Sequence, residues 1–447
     1  MTDRYLRFAN SGLGGVLVRR LGLPNPTPLR RYQPGQPVVD GPVLLGGAPG
    51  GRLVDPVGAV LKAVQADVRT GSGAGSGERL GALVFDATGI GGSEQLAELY
   101  EFFHPVIRNL RSCARVLVLG TPPEDCTEPG EAVAQRALEG FVRTVGKELR
   151  RGATAQLCYV ARGAEHAVES TLRFLLSAKS AYVSGQVVRV GAAEVTEPAE
   201  WERPLDGKVA LVTGASRGIG EAIAEVLGRD GAHVVCLDVP AQEAELARVA
   251  ERVGGSTLLL DITAEDAPER LVEELRARHG GVDVVVHNAG ITRDKTLGRM
   301  DRKRWDAVLA VNLTSQERIT ERLLATETLR PGGRIVGVSS MSGIAGNVGQ
   351  SNYATSKAGV IGTVRALAPK LAEQAGTINA VAPGFIETRM TAAIPLTIRE
   401  FGRRANSLSQ GGLPVDVAET VAWFANPASA GVNGNVVRVC GQSLIGA

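Results

Sequence analysis

The chain has 447 residues, of which 44% are hydrophobic and only 4% aromatic, and its formal net charge is +2. This length is too great for one ordinary hydrophobic core, so we expect two domains, and the abundant glycine suits packed layers of helices and strands. The nearly balanced charge gives no general attraction to nucleic acid or to a membrane surface, and we expect neither as a partner.

Targeting and redox features favour a cytoplasmic protein. The first residues, MTDRYLRFANSG, lack the apolar segment of a signal peptide, and no apolar run reaches the ~18 residues that could span a bilayer. The five cysteines have no paired spacing, which predicts reduced thiols. The five histidines form no ligand cluster, which predicts no metal site.

The first half of the chain begins with an arm and continues as alternating strands and helices. Residues 1–40 are polar and rich in proline, and we expect little regular structure there. Apolar strands and helical patterns alternate over 41–190, which predicts a parallel α/β domain. The run GSGAGSG at 71–77 indicates a flexible loop, and the acidic, proline-containing stretch 191–205 is the predicted linker.

The second half, residues 206–447, has the pattern of a doubly wound, Rossmann-like parallel sheet. Seven apolar strands are separated by helical patterns, and each crossover between them is expected to be right-handed. The predicted strands lie near 208–213, 233–238, 256–260, 283–287, 334–339, 377–381 and 435–439.

The two halves also resemble each other in sequence. The segment SAKSAYVSGQVVRVG (Ser177–Gly191) aligns with NPASAGVNGNVVRVC (Asn426–Cys440), and FDATGI (Phe85–Ile90) aligns with VHNAGI (Val286–Ile291). The pairs occur in the same order along the two halves. We therefore interpret the first half as a diverged copy of the second, with the same kind of α/β fold.

The stretch TGASRGIG (Thr213–Gly220), between an apolar strand and a helical pattern, predicts a nucleotide-binding turn. Gly214 allows a tight turn, Gly218 lets the backbone approach a pyrophosphate, and Gly220 lets the helix pack on the strand. Free N–H groups at the start of the helix then face the anion. Asp238 lies 18 residues after Gly220, at the end of the second strand, which completes the pattern.

A second group of residues suits proton transfer to a carbonyl oxygen. Tyr353 and Lys357 are four residues apart and share a helix face, while Ser340 lies at the end of the predicted strand RIVGVS. A tyrosine has a pKa near ~10, and a neighbouring ammonium lowers it. We therefore predict Tyr353 as a general acid, with Ser340 stabilising the charge on the oxygen. The alternative is an ordinary surface pair of Tyr353 and Lys357.

These residues give the second half a resemblance to the short-chain dehydrogenase/reductase family. The matching motifs are Thr213-Gly214-x3-Gly218-x-Gly220, Asn288-Ala289-Gly290, Asn312, Ser340, Tyr353-x3-Lys357 and Pro383-Gly384. Within that family, GNVGQSNYATSKAGVIG and NAVAPGFIETRMT resemble the 3-oxoacyl-[acyl-carrier-protein] reductases (FabG type). The resemblance covers about 205–447, and the whole chain, with its degenerate first half, resembles the long, high-molecular-weight form.

The resemblance implies a role for each matching residue. Lys357 would lower the pKa of Tyr353 and hold the nicotinamide ribose, Ser340 would position the carbonyl, and Asn312 would keep a water that links Lys357 to solvent. His287 departs from the family, which commonly has asparagine there, and we interpret it as a tolerated substitution. The implied cofactor contacts are Gly214, Ser216, Arg217, Gly218, Ile219, Gly220, Asp238, Asp261, Ile262, Asn288, Ala289, Gly290, Tyr353, Lys357, Pro383, Gly384, Ile386 and Thr388.

Two residues give opposite indications about the nicotinamide cofactor. Asp238 would accept hydrogen bonds from the adenosine ribose hydroxyls and would repel a 2′-phosphate. Arg217 is of a type that NADP-using relatives employ to hold that phosphate. Because no second basic residue follows Asp238 directly, we favour NAD(H) over NADP(H).

The first half lacks the residues of this chemistry. Leu53 takes the place of the third glycine, Glu131 and Gln135 align with the predicted catalytic tyrosine and lysine, and Thr121 falls near the serine position. We expect this half to be catalytically silent and to serve as a scaffold, a dimer contact or part of the substrate entrance. Residual nucleotide or anion binding at Gly46–Gly51 stays open.

The leading hypothesis is NADH-dependent reduction of 3-oxoacyl thioesters, carried by CoA or acyl-carrier protein, to 3-hydroxyacyl thioesters in fatty-acid or lipid metabolism. The alternatives are the reverse oxidation with NAD, action on another alcohol or ketone, and a nucleotide-sensing scaffold without turnover. The resemblance also implies a homo-oligomer, either dimer or tetramer.

The stretch Glu387–Gln410 follows the predicted cofactor loop and has two interpretations. Its apolar side chains would line an acyl tunnel while Arg399, Arg403 and Arg404 meet phosphates of a carrier, or a helical lid simply packs down on its apolar face.

Overall fold

A computed structural model describes residues 3–70, 78–392 and 394–444 of the chain. The loop predicted at 71–77 lies outside the described residues. Contacts divide the chain into two compact units: unit 1 comprises Met1–Val195, Thr391–Gly412 and Val439–Leu444, and unit 2 comprises Thr196–Met390 and Leu413–Arg438. This division differs from the sequence prediction, which assigned all of 206–447 to one domain, because two segments of that range belong to unit 1.

The first half of the chain alternates strands with helices around a parallel sheet. Its helices and strands are α1 (Arg4–Ala9), α2 (Gly12–Arg20), β1 (Val43–Gly47), α3 (Val54–Ala63), β2 (Val68–Thr70), β3 (Leu80–Asp86), α4 (Ala97–Phe103), β4 (Leu110–Gly120), α5 (Pro129–Glu148), β5 (Thr154–Val160), α6 (Glu169–Leu176) and β6 (Gln186–Val190). Among the described residues, six strands form one sheet in the order β2-β1-β3-β4-β5-β6. Every residue of β3 and β5 is buried, as expected for parallel strands covered on both faces.

The N-terminal arm is more regular than its sequence predicts. α1 and α2 occupy much of its first 20 residues, so the expectation of little regular structure over 1–40 is wrong there. The carboxylate of Asp3 accepts a hydrogen bond from Leu6 N at 3.1 Å and so caps α1. The proline-rich remainder of the arm carries no helix or strand over 23–33.

The second half contains the larger sheet. Its helices and strands are β7 (Val209–Thr213), α7 (Gly218–Arg229), β8 (His233–Asp238), α8 (Glu243–Val253), β9 (Ser256–Leu259), α9 (Ala267–His279), β10 (Val282–His287), α10 (Arg302–Leu309), α11 (Ser315–Ala325), β11 (Leu329–Val338), α12 (Met341–Ala345), α13 (Ser351–Ala372), β12 (Thr377–Pro383), α14 (Arg389–Ala392), α15 (Leu396–Arg404), α16 (Pro414–Ala425) and β13 (Val436–Val439). Within the described part of the chain, seven parallel strands follow the order β13-β12-β11-β10-β7-β8-β9. The predicted doubly wound parallel fold is therefore confirmed.

The order of strands in unit 2 places a crevice at the ends of two neighbouring strands. β7 pairs with β8 on one side and with β10 on the other, so the chain leaves β7 and β10 in opposite directions across the sheet. Ligands of open parallel sheets bind outside the carboxyl ends of the strands at such a reversal. None of the described helices is long and apolar enough to cross a membrane.

Matching hydrogen bonds in the two units support the interpretation of an internal duplication. In unit 1, Gln186 N donates to Gln156 Oε1 at 3.1 Å, and the Gln156 amide donates to the carbonyl of Val183. In unit 2, Asn435 N donates to Asn379 Oδ1 at 2.9 Å, and Asn379 Nδ2 donates to the carbonyl of the residue that aligns with Val183. In each sheet, one amide side chain (Gln156 or Asn379) thus holds the last strand through the same pair of hydrogen bonds.

A buried arginine occupies the same place in both sheets. Arg115 of β4 lies opposite a threonine of β5 and donates to the carbonyl of Ser177 at 3.1 Å. Arg334 of β11 lies opposite a threonine of β12 and donates to the carbonyl of Pro427 at 3.0 Å. Burial lowers the pKa of each arginine to about 10. Both sheets therefore carry a buried arginine at the corresponding pairing of two neighbouring strands.

Candidate active site

The glycine turn of unit 2 joins β7 to α7 at the strand reversal. Gly214 and Gly218 have φ angles of 67° and 65°, in the left-handed region that favours glycine. A Cβ on Gly220 would lie 2.0 Å from the carbonyl oxygen of Gly214, so a larger residue would force α7 away from the turn. The N–H groups of the first helical turn face the space in front of this backbone.

Ser216 tests whether this turn fits a dinucleotide. Its side chain is only 4% exposed, and no partner among the described residues lies within hydrogen-bond distance of its hydroxyl. A buried hydroxyl without a partner is costly, and a phosphate oxygen would satisfy it. The turn, the start of α7 and Ser216 therefore fit the phosphates of a dinucleotide.

Asp238 lies at the end of β8, beside the glycine turn. One carboxylate oxygen accepts from Ser216 N at 3.1 Å and the other from Val239 N at 2.9 Å, so its position is fixed by backbone on both sides. The side chain of Arg217 is exposed and contacts Gln242 Oε1 at 3.4 Å. The structure thus brings Asp238 to the turn, and it leaves Arg217 on the surface.

Asn288 connects the ends of β10 and β7. Its Nδ2 donates to the carbonyls of Thr213 and Gly214 at 2.9 and 3.1 Å, while Thr213 Oγ1 accepts from the backbone N–H groups of Asn288 and Ala289. These bonds hold the Asn288–Gly290 segment directly against the glycine turn. A Cβ on Gly214 would lie 3.0 Å from Ala289 Cα, so the two segments approach as closely as glycine permits.

Ser340 follows β11 and begins α12. Its backbone is extended, and its hydroxyl oxygen accepts from Ser342 N at 3.1 Å, which makes Ser340 the N-cap of that helix. Because the oxygen accepts from this N–H, the hydroxyl proton is free to point toward another acceptor.

Tyr353 lies in the first turn of α13. Burial raises the pKa of its phenol, an interaction with the Ser340 side chain lowers it, and the negative charge of Asp294 raises it, with a net increase. The sequence predicted a pKa lowered by Lys357, and that direction is wrong in this structure. The physical reason is that desolvation of the phenolate outweighs the other contributions.

Lys357 is almost fully buried one helical turn after Tyr353. Its Nζ lies 5.8 Å from the centre of the Tyr353 ring and donates to the carbonyl of Val338 at 2.8 Å. Burial lowers the pKa of Lys357 from 10.5 to about 8. A Cβ on Gly290 would lie 3.3 Å from this Nζ, so the lysine also reaches the segment that follows β10.

Asn312 occupies a π-helical turn, Ala310–Thr314, between α10 and α11. Its side chain bonds both backbone groups of Ile291, accepting from N at 2.8 Å and donating to O at 3.0 Å. It also donates to Ser356 Oγ at 3.1 Å, on the helix of Tyr353. Such π-turns are frequent at functional sites. The fully buried amide therefore joins the segment after β10 to the predicted catalytic helix.

The other predicted cofactor residues of unit 2 lie after β9, at or after the end of β12, and in α7. Asp261 accepts from the backbone N–H and the hydroxyl of Thr263, which shapes the turn after β9, and Ile262 is buried beside it. Pro383 ends β12, and Gly384, Ile386 and Thr388 follow it. Ile219 lies in the first turn of α7. Their roles toward a cofactor remain predictions.

His287 ends β10 and points into the core rather than into the crevice. It is 4% exposed, and its Nε2 lies 2.9 Å from the Thr320 hydroxyl of α11. Burial lowers the pKa of His287 to about 4, so the imidazole is neutral at ordinary pH. This geometry agrees with a substitution that packs inside the fold.

The corresponding place in unit 1 is occupied by the chain's own side chains. Asp86, at the end of β3, is fully buried, and one carboxylate oxygen accepts from Leu53 N at 2.6 Å and Val54 N at 3.2 Å, at the start of α3. The other accepts from Thr88 N and Oγ1. A Cβ on Gly51 would lie 2.5 Å from the same carboxylate. An internal anion therefore sits where a phosphate would meet the helix.

Two further side chains fill this crevice of unit 1. Arg52 donates to Glu165 Oε1 at 2.7 Å and to the carbonyl that ends β5. Gln135, which aligns with Lys357, accepts from Thr121 N at 2.8 Å and donates to the carbonyls of Ala87 and Ile90, each at 2.9 Å. These bonds cross the ends of β3, β4 and β5, the place that corresponds to the predicted site of unit 2.

Two of the arginines predicted to meet a carrier phosphate have partners within unit 1. Arg404 contacts both carboxylate oxygens of Asp3, at 2.5 and 2.7 Å, and Arg403 pairs with Glu400 and is 7% exposed. Leu396, Ile398 and Phe401 on α15 are exposed rather than packed, so the alternative of a lid whose apolar face is buried does not hold for these three side chains.

Sequence reasoning missed a set of polar residues around Tyr353. Asp294 accepts from Gln350 Nε2 at 2.8 Å, and Asn352 donates from Nδ2 to the carbonyls of Arg293 and Arg304. The motif GQSNYATSK contains Gln350 and Asn352 directly before the tyrosine, which was the available signal. Asp294 is close to them only through the fold.

The fold and this site define an oxidoreductase that uses a nicotinamide dinucleotide and carries a serine, a tyrosine and a lysine beside it. A protein-family model described as enoyl-(acyl carrier protein) reductase matches residues 214–441. The chain therefore belongs to the short-chain dehydrogenase/reductase family, and its second half carries that domain.

Curated relatives match the same half of the chain. A 3-oxoacyl-[acyl-carrier-protein] reductase FabG of Thermotoga maritima is 41% identical over 244 residues, which cover 54% of this chain and 99% of the relative. The FabG proteins of Vibrio cholerae and Pseudomonas aeruginosa are 41% and 43% identical, and each match covers 53% of this chain and 97% of the relative. This chain is about twice as long as these relatives, as expected for a long form.

Proposed function

We propose that unit 2 reduces 3-oxoacyl thioesters to 3-hydroxyacyl thioesters with NADH. The observation that supports this most directly is the arrangement of Ser340, Tyr353 and Lys357 at the carboxyl ends of the strands, next to the glycine turn. The relatives named as 3-oxoacyl-[acyl-carrier-protein] reductases support the substrate class. We propose the thioester of CoA or of a carrier protein as the form that is bound.

The proposed reaction adds one hydride and one proton across the C3 ketone and leaves the thioester bond intact. A reduced nicotinamide, when bound, supplies the hydride to C3. Ser340 donates a hydrogen bond to the ketone oxygen, and Tyr353 transfers its phenolic proton to that oxygen as negative charge develops there. A raised pKa keeps the phenol protonated until that moment.

Lys357 then stabilises the phenolate that remains. Burial disfavours an isolated phenolate, so a nearby ammonium is required once the proton has left. The pKa of Lys357, lowered to about 8, leaves the amine mostly charged at neutral pH and able to return a proton to Tyr353. Asn312, which is bonded to Ile291 and Ser356, keeps the proposed relay in place.

A substrate panel tests this proposal. We expect acetoacetyl-CoA to oxidise NADH, and we expect crotonyl-CoA, an enoyl thioester, to leave it unchanged because its C3 carries no ketone oxygen for Ser340 and Tyr353. Tyr353→Phe should lower kcat by at least about 10³-fold, as loss of a general acid does, while the Kd for NADH stays within about twofold. Substantial turnover by Tyr353→Phe would remove this residue from its proposed role.

The preference for NADH rests on Asp238. Its carboxylate is held by two backbone N–H groups, so it cannot easily turn away from a 2′-phosphate. Two like charges ~4 Å apart repel by about 4 kcal/mol at an effective dielectric of ~20. We expect a higher kcat/KM with NADH than with NADPH, and Asp238→Ser should shift the ratio toward NADPH by at least about tenfold. A wild-type preference for NADPH would contradict this assignment.

A further inference from the structure

In unit 2, residues 293–295, which follow β10, run beside residues 349–352, which lead into the proposed catalytic tyrosine. Lys295 N donates to the carbonyl of Gly349 at 2.8 Å, and Asn352, which is fully buried, donates to the carbonyl of Arg293 at 3.3 Å. Asn352 Oδ1 also accepts from Tyr353 N at 2.8 Å. The segment after β10 therefore supports the entrance to α13, where Tyr353 lies.

A chain of hydrogen bonds continues from this pairing to Ser340. Gln350 Nε2 donates to Asp294 Oδ2 at 2.8 Å, and Gln350 Oε1 accepts from the Ser342 hydroxyl at 3.0 Å. Ser342 N in turn donates to Ser340 Oγ at 3.1 Å. A second donor, Asn347 Nδ2, reaches Gln350 Oε1 at 2.9 Å. Three consecutive contacts thus connect the exposed carboxylate of Asp294 to Ser340, beside the phenol, and Asn347 adds a side branch at Gln350.

The Asp294 carboxylate determines which group donates in each of these hydrogen bonds. An ionised carboxylate only accepts hydrogen bonds, so Gln350 must turn its NH2 group toward Asp294 and its carbonyl toward Ser342. The Ser342 hydroxyl must then donate, and its backbone N–H remains directed at Ser340. Without the carboxylate, the Gln350 amide could rotate by half a turn and place its donors against the Ser342 donor.

We propose that Asp294 is a positioning residue for the reaction. It fixes the Gln350 amide, and through Gln350 and Ser342 it fixes the hydroxyl direction of Ser340 relative to the phenol of Tyr353. This inference rests on the proposed function, because it assigns Asp294 a role in orienting the same serine and tyrosine. It adds a residue that touches neither substrate nor cofactor.

The charge of Asp294 provides a second observable effect. Besides burial, the negative charge of Asp294 raises the pKa of Tyr353. The charged groups on the elements around α13 include Lys357 on α13 itself, Asp294 after β10, and the ion pair of Arg304 with Asp301 at α10. Because Asp294 is exposed, salt screens its effect, and the shift should be larger at low ionic strength.

A double-mutant cycle on the full chain tests the proposal. Asp294→Ala should lower kcat about tenfold, with the KM for NADH within about twofold, because the glycine turn is untouched. Gln350→Ala should cause a similar loss. If Asp294 acts through Gln350, adding Asp294→Ala to Gln350→Ala should lower kcat by no more than about twofold further. Independent, multiplying losses would overturn the proposal.

Two single variants complete the test. Asp294→Asn keeps an acceptor but removes the charge, so it should lose less kcat than Asp294→Ala while both shift the alkaline limb of the kcat profile to lower pH. Lys295→Ala is the matched control, since its contact to Gly349 is through the backbone N–H and survives truncation. Equal kcat for wild type and Asp294→Ala would also overturn the proposal.

The outcomes separate this inference from the proposed function. If Tyr353→Phe retains turnover, the proposed function fails. If Tyr353→Phe is inactive and Asp294→Ala behaves as wild type, only the role of Asp294 fails. Circular dichroism melting of each variant identifies an unfolded protein, and in that case Asp294→Asn and its pH profile decide.

Discussion

At the scale of single residues, the site combines a phenol and an amine whose pKa values burial moves in opposite directions. Desolvation disfavours the charged form of each group, so it raises the pKa of Tyr353 and lowers that of Lys357 to about 8. Both shifts favour the neutral forms, and they move the two pKa values apart. Return of a proton from the Lys357 ammonium to a Tyr353 phenolate is therefore more favourable than the ordinary pKa values, 10.5 and 10.0, suggest on their own.

The buried amine also makes stability depend on pH. The pKa of Lys357 is about 8 in the folded chain and 10.5 as an ordinary lysine, so between these values the unfolded state binds more protons and stability rises with pH. Lys357→Met removes this dependence. We expect its stability advantage over wild type to shrink by about 3 kcal/mol as pH rises across that window, since each pKa unit corresponds to about 1.4 kcal/mol.

Urea unfolding of both proteins at several pH values measures this difference. Lys370→Met, on the exposed side of the same helix, is the matched control and should differ from wild type by an amount that does not change with pH. A difference between wild type and Lys357→Met that stays constant from pH 8 to 10.5 would contradict the assigned burial of the amine.

At the scale of secondary-structure elements, the start of a helix is used differently in the two units. α7 presents its first turn beside a buried hydroxyl that has no partner among the described residues, whereas α3 is capped by the carboxylate of Asp86. Asp86 accepts from two backbone groups of α3 and from both groups of Thr88. A helix end that we propose as a ligand-binding site in one unit is thus a stable internal contact in the other.

We expect Asp86→Ala to lower the free energy of unfolding by at least about 2 kcal/mol, because it leaves buried N–H donors unsatisfied. Asp86→Asn keeps the volume but turns an NH2 group toward some of these donors, so it should also destabilise the chain. Asp55→Asn, an exposed change in the first turn of α3, is the control and should change stability by at most about 1 kcal/mol. Thermal melting followed by circular dichroism compares them, and an unchanged melting temperature for Asp86→Ala would contradict the capping role.

The elements also show what the sequence can predict. Apolar runs separated by helical patterns were sufficient for the parallel sheets, because β7 and β10 are buried on both faces and their composition reflects that burial. The sequence could not predict that Asp86 caps the start of α3, because Asp86 is 33 residues from Leu53 and meets it only through strand pairing. The predicted direction of the Tyr353 pKa shift was wrong for the same reason, because the burial of a side chain is a property of the packed fold.

At the scale of the whole molecule, the chain contains two copies of one architecture that have diverged in how their crevices are filled. Both sheets keep a buried arginine and the same bonds to the last strand. Unit 2 keeps the glycine turn and, among its described residues, the unpartnered Ser216 hydroxyl, whose cost in stability the proposed dinucleotide would offset. In unit 1, Asp86, Arg52 and Gln135 occupy the corresponding place and bond to the backbone and to neighbouring side chains.

This difference predicts one dinucleotide site per chain. Isothermal titration of the full chain with NADH should give a stoichiometry of one, since the internal carboxylate of Asp86 excludes a phosphate from α3. Gly220→Val should abolish binding, because its Cβ would lie 2.0 Å from the Gly214 carbonyl oxygen. Two sites in the wild type, or one site that survives in a folded Gly220→Val chain, would show that unit 1 binds nucleotide despite its own side chains.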